Sequence, residues 1–208
     1  MLALRPSKIL CVGRNYRAHA AELGNDVPAE PLLFFKPPSA LISAGEAIVL
    51  PPQSSRVEHE GEIAVVLGRS LRHATPDEAR AAISYVLPLN DVTARDLQRT
   101  DGQWTRAKGF DTFCPVGSPV PAQEVDLEAL EVITTVDGEV RQHGYASDMA
   151  FSIPDVVAYA SAIMTLEAGD LITTGTPEGV GPLEPGMTVT VEIPGVGSVS
   201  NPVAAARS

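Results

Sequence analysis

Glycine and proline punctuate this chain so evenly that its regular elements must be short: 17 glycines and 18 prolines are scattered over 208 residues. Proline fixes φ and lacks a backbone donor, and glycine weakens both helices and strands, so each marks an interruption. Between the interruptions the runs are mostly strand-like. Lys8-Ile-Leu-Cys-Val12 reads as a short buried strand closed by Gly13, and Glu62–Leu67 is β-branched and ends at Gly68. Asp137-Gly138 sits between β-rich runs over Val132–Gln142, a hairpin signal because both residues tolerate positive φ. Leu171–Thr174, Met187–Ile193 and Val199 continue the pattern of strands and turns.

Helices are fewer. Tyr16–Leu23 can form two turns stopped by Gly24. Thr75-Pro76-Asp77-Glu78 combines a capping threonine, a proline at the first position and a glutamate that completes a capping box, predicting a helix to about Tyr85. Ser152-Ile153-Pro154-Asp155 opens another through Met164. Strands outnumber helices and do not alternate regularly with them, so the expected fold class is strand-rich, mixed or antiparallel α+β. The length suits a single domain over residues 1–208.

Charge and composition narrow the function classes. The formal net charge of −11 argues against nucleic acid and against anionic membranes, both of which demand Lys/Arg clusters. No apolar run approaches the ~20 residues of a membrane helix, and no secretory signal opens the chain, so a cytoplasmic protein is expected. Cys11 and Cys114 stand far apart without a C-x-x-C motif and read as reduced thiols. Against twelve arginines there are three lysines, Lys8, Lys36 and Lys108, so a lysine in a Gly/Pro-rich polar segment draws scrutiny.

Three places carry the residues for chemistry. In Val57-Glu58-His59-Glu60-Gly61-Glu62, Glu60 and Glu62 point the same way on a strand, with Glu58 able to join them and His59 facing away as a hydrogen-bonded structural imidazole. Asp91 follows the apolar run Val86–Leu89 at an element's end. Carboxylates that converge in a half-buried place repel by about 4 kcal/mol per pair at ~4 Å and an effective dielectric near 20. A hard divalent cation removes that repulsion; alternating glutamates on a strand equally describe a solvated outer face. His19 and Glu22 are three apart, close enough on a helix for a carboxylate to fix an imidazole as a general base, or to form an ordinary surface pair. Finally, Gly175-Thr176-Pro177-Glu178-Gly179-Val180-Gly181 follows a strand without a phosphate-loop or dinucleotide fingerprint, and can offer backbone N–H groups and the Thr176 hydroxyl to a carboxylate. Lys108 is an oxyanion-clamp candidate.

Jointly these stretches resemble the fumarylacetoacetate hydrolase family, in particular its small acylpyruvase-like and 2-hydroxyhepta-2,4-diene-1,7-dioate isomerase-like branch. The resemblance rests on Cys11-Val-Gly-Arg-Asn-Tyr16, His19-x-x-Glu22, Phe35-Lys-Pro-Pro-Ser39, His59-Glu-Gly-Glu62 and Asn90-Asp-Val-Thr-Ala-Arg-Asp96. It continues through Lys108-Gly-Phe110, Phe151-Ser-Ile-Pro154 and Thr174–Gly181, in order from about residue 8 to 202. It implies a mixed β-sandwich roll with peripheral helices and a homodimer. It implies Glu60, Glu62 and Asp91 as ligands of Mg²⁺ or Mn²⁺, with Ca²⁺ as a further candidate. It casts His19 and Glu22 as the water-activating dyad and Lys108 as an aid to the oxyanion. Arg14, Tyr16, Gln98 and Thr176 become contacts of a small 2-oxo acid substrate. Gly61 stands where related members commonly carry leucine, which implies a packing difference rather than loss of metal. The implied reaction is C–C hydrolysis of a 2,4-dioxo acid, such as acetylpyruvate or fumarylpyruvate, to pyruvate and a carboxylic acid. Decarboxylation or tautomerisation of oxaloacetate, or isomerisation of the heptadienedioate, are alternatives on the same site, and a non-catalytic cation or 2-oxo acid binder is the bland one.

Overall fold

The computed structural model describes residues 4–22, 24 and 26–206. Among them the chain forms short strands and shorter helices, as the Gly/Pro spacing dictates. The strands are β1 (Ile9–Gly13), β2 (Leu32–Lys36), β3 (Leu41–Ser43), β4 (Ile48–Leu50), β5 (Val57–His59), β6 (Gly61–Leu67), β7 (Ile83–Asn90) and β8 (Thr93–Ala94). They continue as β9 (Cys114–Val116), β10 (Val120–Pro121), β11 (Glu131–Val136), β12 (Glu139–Tyr145), β13 (Leu171–Thr173), β14 (Gly181–Pro182), β15 (Thr188–Ile193) and β16 (Gly197–Ala205). The helices are α1 (Arg17–Glu22), α2 (Pro76–Arg80), α3 (Arg95–Thr100), α4 (Thr105–Lys108) and α5 (Ile153–Ile163).

Three sheets result. An eight-stranded mixed sheet runs β2-β1-β13-β6-β7-β9-β3, with β10 added to β7. A five-stranded sheet runs β12-β11-β15-β16-β4, and a three-stranded one β14-β5-β8. The main core lies between the first two and under α5: Leu10, Ile63 and Val65 of one sheet meet Val132, Val191 and Val199 of the other, with Val156 and Val157 from the helix. Every residue of β6 is buried, as expected for a central strand covered on both faces. No described helix is long and apolar enough to cross a membrane.

Most expected elements are present within a residue or two. The Asp137-Gly138 hairpin joins β11 to β12, with both turn residues at positive φ. Ser152 caps α5 by accepting the Asp155 N–H. The α1 helix runs from Arg17 to Glu22; the expected end at Leu23 lies outside the described residues. One expectation fails. The capping box at Thr75 and Glu78 forms, yet α2 stops at Arg80 instead of reaching Tyr85, because Ile83–Asn90 pairs along the whole of β6. Burying a central strand outweighs the local helix preference of those few residues.

Candidate active site

The antiparallel pairing of β6 with β7 brings the acidic residues together. Gly61 lies opposite Asn90 and Glu62 opposite Leu89, so Asp91 emerges beside Glu60, and its N–H donates to the Glu60 carbonyl at 2.8 Å. The Asn90 side chain accepts the Glu60 N–H at 2.9 Å. Oxygens of Glu60, Glu62 and Asp91 all lie within 4.8 Å of one another, and all three residues are buried. Two bonds of about 2.0–2.6 Å from one hard cation span that distance.

Glu58 does not join them. Residue 60 sits between β5 and β6, strands of different sheets, and the alternation breaks there. The Glu58 carboxylate is instead held by Arg56 and Arg95, each at 2.6 Å. His59 turns away as expected, its Nδ1 3.0 Å from the Gln142 Oε1.

The buried charges are unequally compensated. Asp91 accepts from Lys36 Nζ at 2.7 Å and from Lys108 Nζ at 2.6 Å. Glu60 accepts from Lys108 at 2.7 Å and is paired with Arg95. Burial alone would raise the Glu60 pKa, but Lys108 and Arg95 hold it well below the ordinary carboxylate range. Lys108 is shifted upward: burial works against its charge, and Asp91 and Glu60 more than offset it. Glu62 is the exception. It forms no ion pair among the described residues, accepts the Gly175 N–H at 2.9 Å, and is pushed well above its usual pKa by burial and by Asp91 and Glu60. A buried carboxylate that faces two others with no cationic side chain paired to it matches the charge of a divalent ion, and an all-carboxylate oxygen set suits Mg²⁺, Mn²⁺ or Ca²⁺. The residues fit the metal.

Glu60, Glu62 and Lys108 form the floor of a cavity of about 310 Å³ whose lining also includes Arg14, His19, Gln98, Arg99, Trp104 and Thr176, while Asp91 lies outside the lining. That is the low end for a small-molecule site. His19 is carried by α1, which Asn15 staples to the body of the fold. The Asn15 amide donates to the carbonyls of Phe151 at 3.0 Å and Thr174 at 2.8 Å, and its oxygen accepts the Phe151 N–H. His19 Nδ1 lies 3.2 Å from Glu22 Oε2, and Glu22 also accepts the Gly179 N–H at 3.0 and 3.2 Å. With Nδ1–H donating to the carboxylate, Nε2 keeps the lone pair a base needs. The 175–181 loop thus offers its N–H groups to carboxylates, those of Glu62 and Glu22.

The structure redistributes other expected roles. Lys108 lines the cavity, but its ammonium bridges Glu60 and Asp91 inside the acidic cluster. The Thr176 hydroxyl donates to the Gly61 carbonyl and accepts from Gln142, so it is spent on the framework. Tyr16 is buried, its hydroxyl has no partner among the described residues, and it does not line this cavity. Gln98 lines the cavity and accepts from Arg95. At Gly61 a Cβ would lie 1.9 Å from Thr134 Oγ1 on the facing β11, so the small residue lets the second sheet close onto β6.

Sequence reasoning passed over Lys36, Arg95 and Gln142 as site residues. Lys36 had a signal, a lone lysine ending the apolar run Leu-Leu-Phe-Phe in a lysine-poor chain. Arg95 and Gln142 reach Glu60 and Gly61 across 35 and 81 positions, and their neighbours along the chain carry no trace of it.

A strand-rich roll that gathers three buried carboxylates beside a hydrogen-bonded His–Glu pair has the makings of an enzyme active site. Residues 8–204 match the fumarylacetoacetate (FAA) hydrolase C-terminal family, and the chain belongs to it. It is 46% identical over 198 residues to a mitochondrial oxaloacetate tautomerase of Arabidopsis thaliana, covering 93% of this chain and 89% of that protein. The crystal structure of a 5-carboxymethyl-2-hydroxymuconate delta-isomerase from Mycobacterium smegmatis superposes with a TM-score of 0.90 at 45% identity, covering 98% of this chain and 80% of the other. A fumarylpyruvate hydrolase from Pseudomonas aeruginosa, solved with Mn²⁺ and pyruvate, gives 0.92 at 33% identity, covering 98% and 91%.

Proposed function

We propose that this chain is a divalent-metal-dependent enzyme that moves a proton on the carbon next to the carbonyl of a 2-oxo acid, with keto–enol tautomerisation of oxaloacetate as its reaction. The observation that carries this reading is the shared cavity: Glu60 and Glu62, clustered with the buried Asp91, line one small space with a histidine oriented by a glutamate. Glu60, Glu62 and Asp91 would hold Mg²⁺ or Mn²⁺, which when bound supplies Lewis-acid polarisation of the 2-oxo carbonyl. The chain's own residues do the rest. His19 removes the proton from C3 through Nε2, and Glu22, hydrogen-bonded at Nδ1, stabilises the imidazolium until the proton is returned to oxygen or carbon. Lys108, with Arg95, keeps Glu60 ionised, ready for the cation.

Hydrolysis of a 2,4-dioxo acid is the second reading, supported by the same dyad and by the likeness to the fumarylpyruvate hydrolase. There His19 takes a proton from water, the hydroxide adds to the distal carbonyl carbon, and that carbon's bond to the pyruvate methylene breaks. The methylene receives the proton, giving pyruvate and a carboxylic acid.

The test is a panel of oxaloacetate, acetylpyruvate and fumarylpyruvate assayed with Mg²⁺ or Mn²⁺ and with chelator, followed by absorbance and product identification. Metal-dependent enol–keto conversion of oxaloacetate supports the first reading and pyruvate release from a dioxo acid the second. Failure to convert any of the three overturns both.

A further inference from the structure

The four cationic side chains that line the cavity divide into two kinds. Arg95 and Lys108 are buried and fully committed to Glu58, Glu60 and Asp91. Arg14 and Arg99 line the same cavity, yet neither has an ion pair or side-chain hydrogen bond among the described residues. Arg99 is exposed and Arg14 half-buried, and the backbone places both. Arg95, Gln98 and Arg99 stand at i, i+3 and i+4 on α3 and so share the face turned to the cavity. Arg14 follows β1 with φ +58, a left-handed conformation that an L residue adopts at a cost, between Gly13 and the stapled Asn15. Arg106, close by in sequence, is by contrast paired to Asp101 and outside the lining.

From this we infer that Arg99 and Arg14 form a second anion subsite at the cavity rim, which takes the distal carboxylate of a 2-oxo diacid and selects diacids over 2-oxo monoacids. This rests on the 2-oxo acid reading above and adds its substrate class. One end of such a ligand, the 2-oxo carboxylate, belongs at the acidic floor with its cation. The far end then needs a positive partner within a cavity only about 310 Å³ in volume. In a chain of net charge −11 the global field repels an anion, so affinity for a doubly charged one must come from local cations that nothing else neutralises. The guanidinium fork suits a carboxylate, and two unpaired ones lining one cavity supply it. A neutral acyl end, as in acetylpyruvate, would leave both unpartnered.

The experiment is calorimetric binding to the full chain with saturating Mn²⁺, comparing 2-oxoglutarate with 2-oxopentanoate, which has the same carbon chain and no distal charge. The diacid should bind about tenfold or more tightly, the size of one charge-assisted hydrogen bond. Arg99→Gln and Arg14→Gln should each bring that ratio toward one, whereas Arg106→Gln should leave it as in wild type. A ratio near one in the wild type, or a ratio unmoved by both cavity substitutions, overturns the subsite. Turnover of oxaloacetate against its 4-methyl ester separates the two claims. If neither reacts while the binding ratio holds, the reaction assignment falls and the subsite stands. If both react equally and the binding ratio is near one, the subsite alone falls.

Discussion

The Gln142 side-chain oxygen accepts the Gly61 N–H at 2.9 Å, and so fixes the peptide between the two glutamates of the acidic cluster. The Gly61 carbonyl is fixed too, by the Thr176 hydroxyl at 2.8 Å, and Gln142 donates to that hydroxyl at 2.7 Å. Three residues from distant parts of the chain thus close a loop of hydrogen bonds that holds both peptides of Gly61. The spacing of Glu60 and Glu62 depends on it. Gln142→Leu should strand the buried Gly61 N–H and His59 imidazole, costing about 1–3 kcal/mol in urea denaturation. Mn²⁺ affinity should fall by about 10- to 100-fold, the usual effect of losing a partner behind a ligand. Calorimetric titration with Mn²⁺ checks the second number; wild-type affinity in this variant would remove Gln142 from the positioning of the site.

Glu62 and Asp91 should respond oppositely to neutralisation. Asp91 compensates two buried lysines, so Asp91→Asn orphans the charge on Lys36, leaves Lys108 with Glu60 alone, and should destabilise the metal-free protein by about 3–5 kcal/mol. Glu62 has no such partner, and burial beside two carboxylates disfavours its charge. Glu62→Gln should therefore leave the metal-free Tm unchanged or raised, while abolishing the rise in Tm that Mn²⁺ gives the wild type. That rise corresponds to about 2.7 kcal/mol at a hundredfold excess over Kd. Thermal melts with Mn²⁺ and with chelator decide it, and a Glu62→Gln variant that still gains Tm from Mn²⁺ would remove Glu62 from the ligand set.

Gly179 should prove irreplaceable because of the dyad it serves. Its N–H donates to Glu22 from a φ of +92, and a Cβ there would meet the Arg141 carbonyl oxygen at 2.0 Å. Gly179→Ala must shift the loop, so Glu22 loses an anchor and His19 its orientation. His19→Asn should lower kcat by about 10²–10⁴-fold with Mn²⁺ affinity kept, and Gly179→Ala should lower kcat more than it raises KM. Unchanged kcat in His19→Asn would exclude it as the base.

How much of this was legible follows from contact range. Glu60 and Glu62 alternate on one strand, and His19 and Glu22 share a helical turn, so short-range geometry exposes both pairs. Asp91 joins through the β6–β7 register, which sequence suggests only as an element's end. Gln142 acts through a contact 81 residues long and nothing local marks it, whereas Lys36 acts across 55 residues and is marked only as the lysine ending an apolar run. The strand Ile83–Asn90 was masked by a real capping box just before it, whose helix is one turn shorter than its start implies. Arg95 hides for a related reason: α3 is only six residues long, and its Ala94 cap position makes no side-chain cap bond.

Asp170 offers a test of stability against pH away from the site. It is buried, and its carboxylate accepts from Ser7 Oγ at 2.6 Å and from the Glu167 N–H at 2.7 Å, with Lys8 Nζ at 2.5 Å. These bonds tie the chain before β1 to the turn before its parallel partner β13. Burial would raise the Asp170 pKa, but the bonds to Lys8, Ser7 and Glu167 bring it below the ordinary aspartate value. A carboxylate with a depressed folded-state pKa binds fewer protons folded than unfolded. Its stabilisation is therefore complete above the unfolded value of about 3.9 and is lost as pH falls through the lower folded value. Asp170→Asn should cost about 1–3 kcal/mol at pH 7. The gap between variant and wild type should hold down to about pH 5 and narrow as pH approaches 3.5, measured from urea midpoints at constant ionic strength. A gap that widens on acidification would reverse the sign and show that Asp170 is protonated in the folded protein.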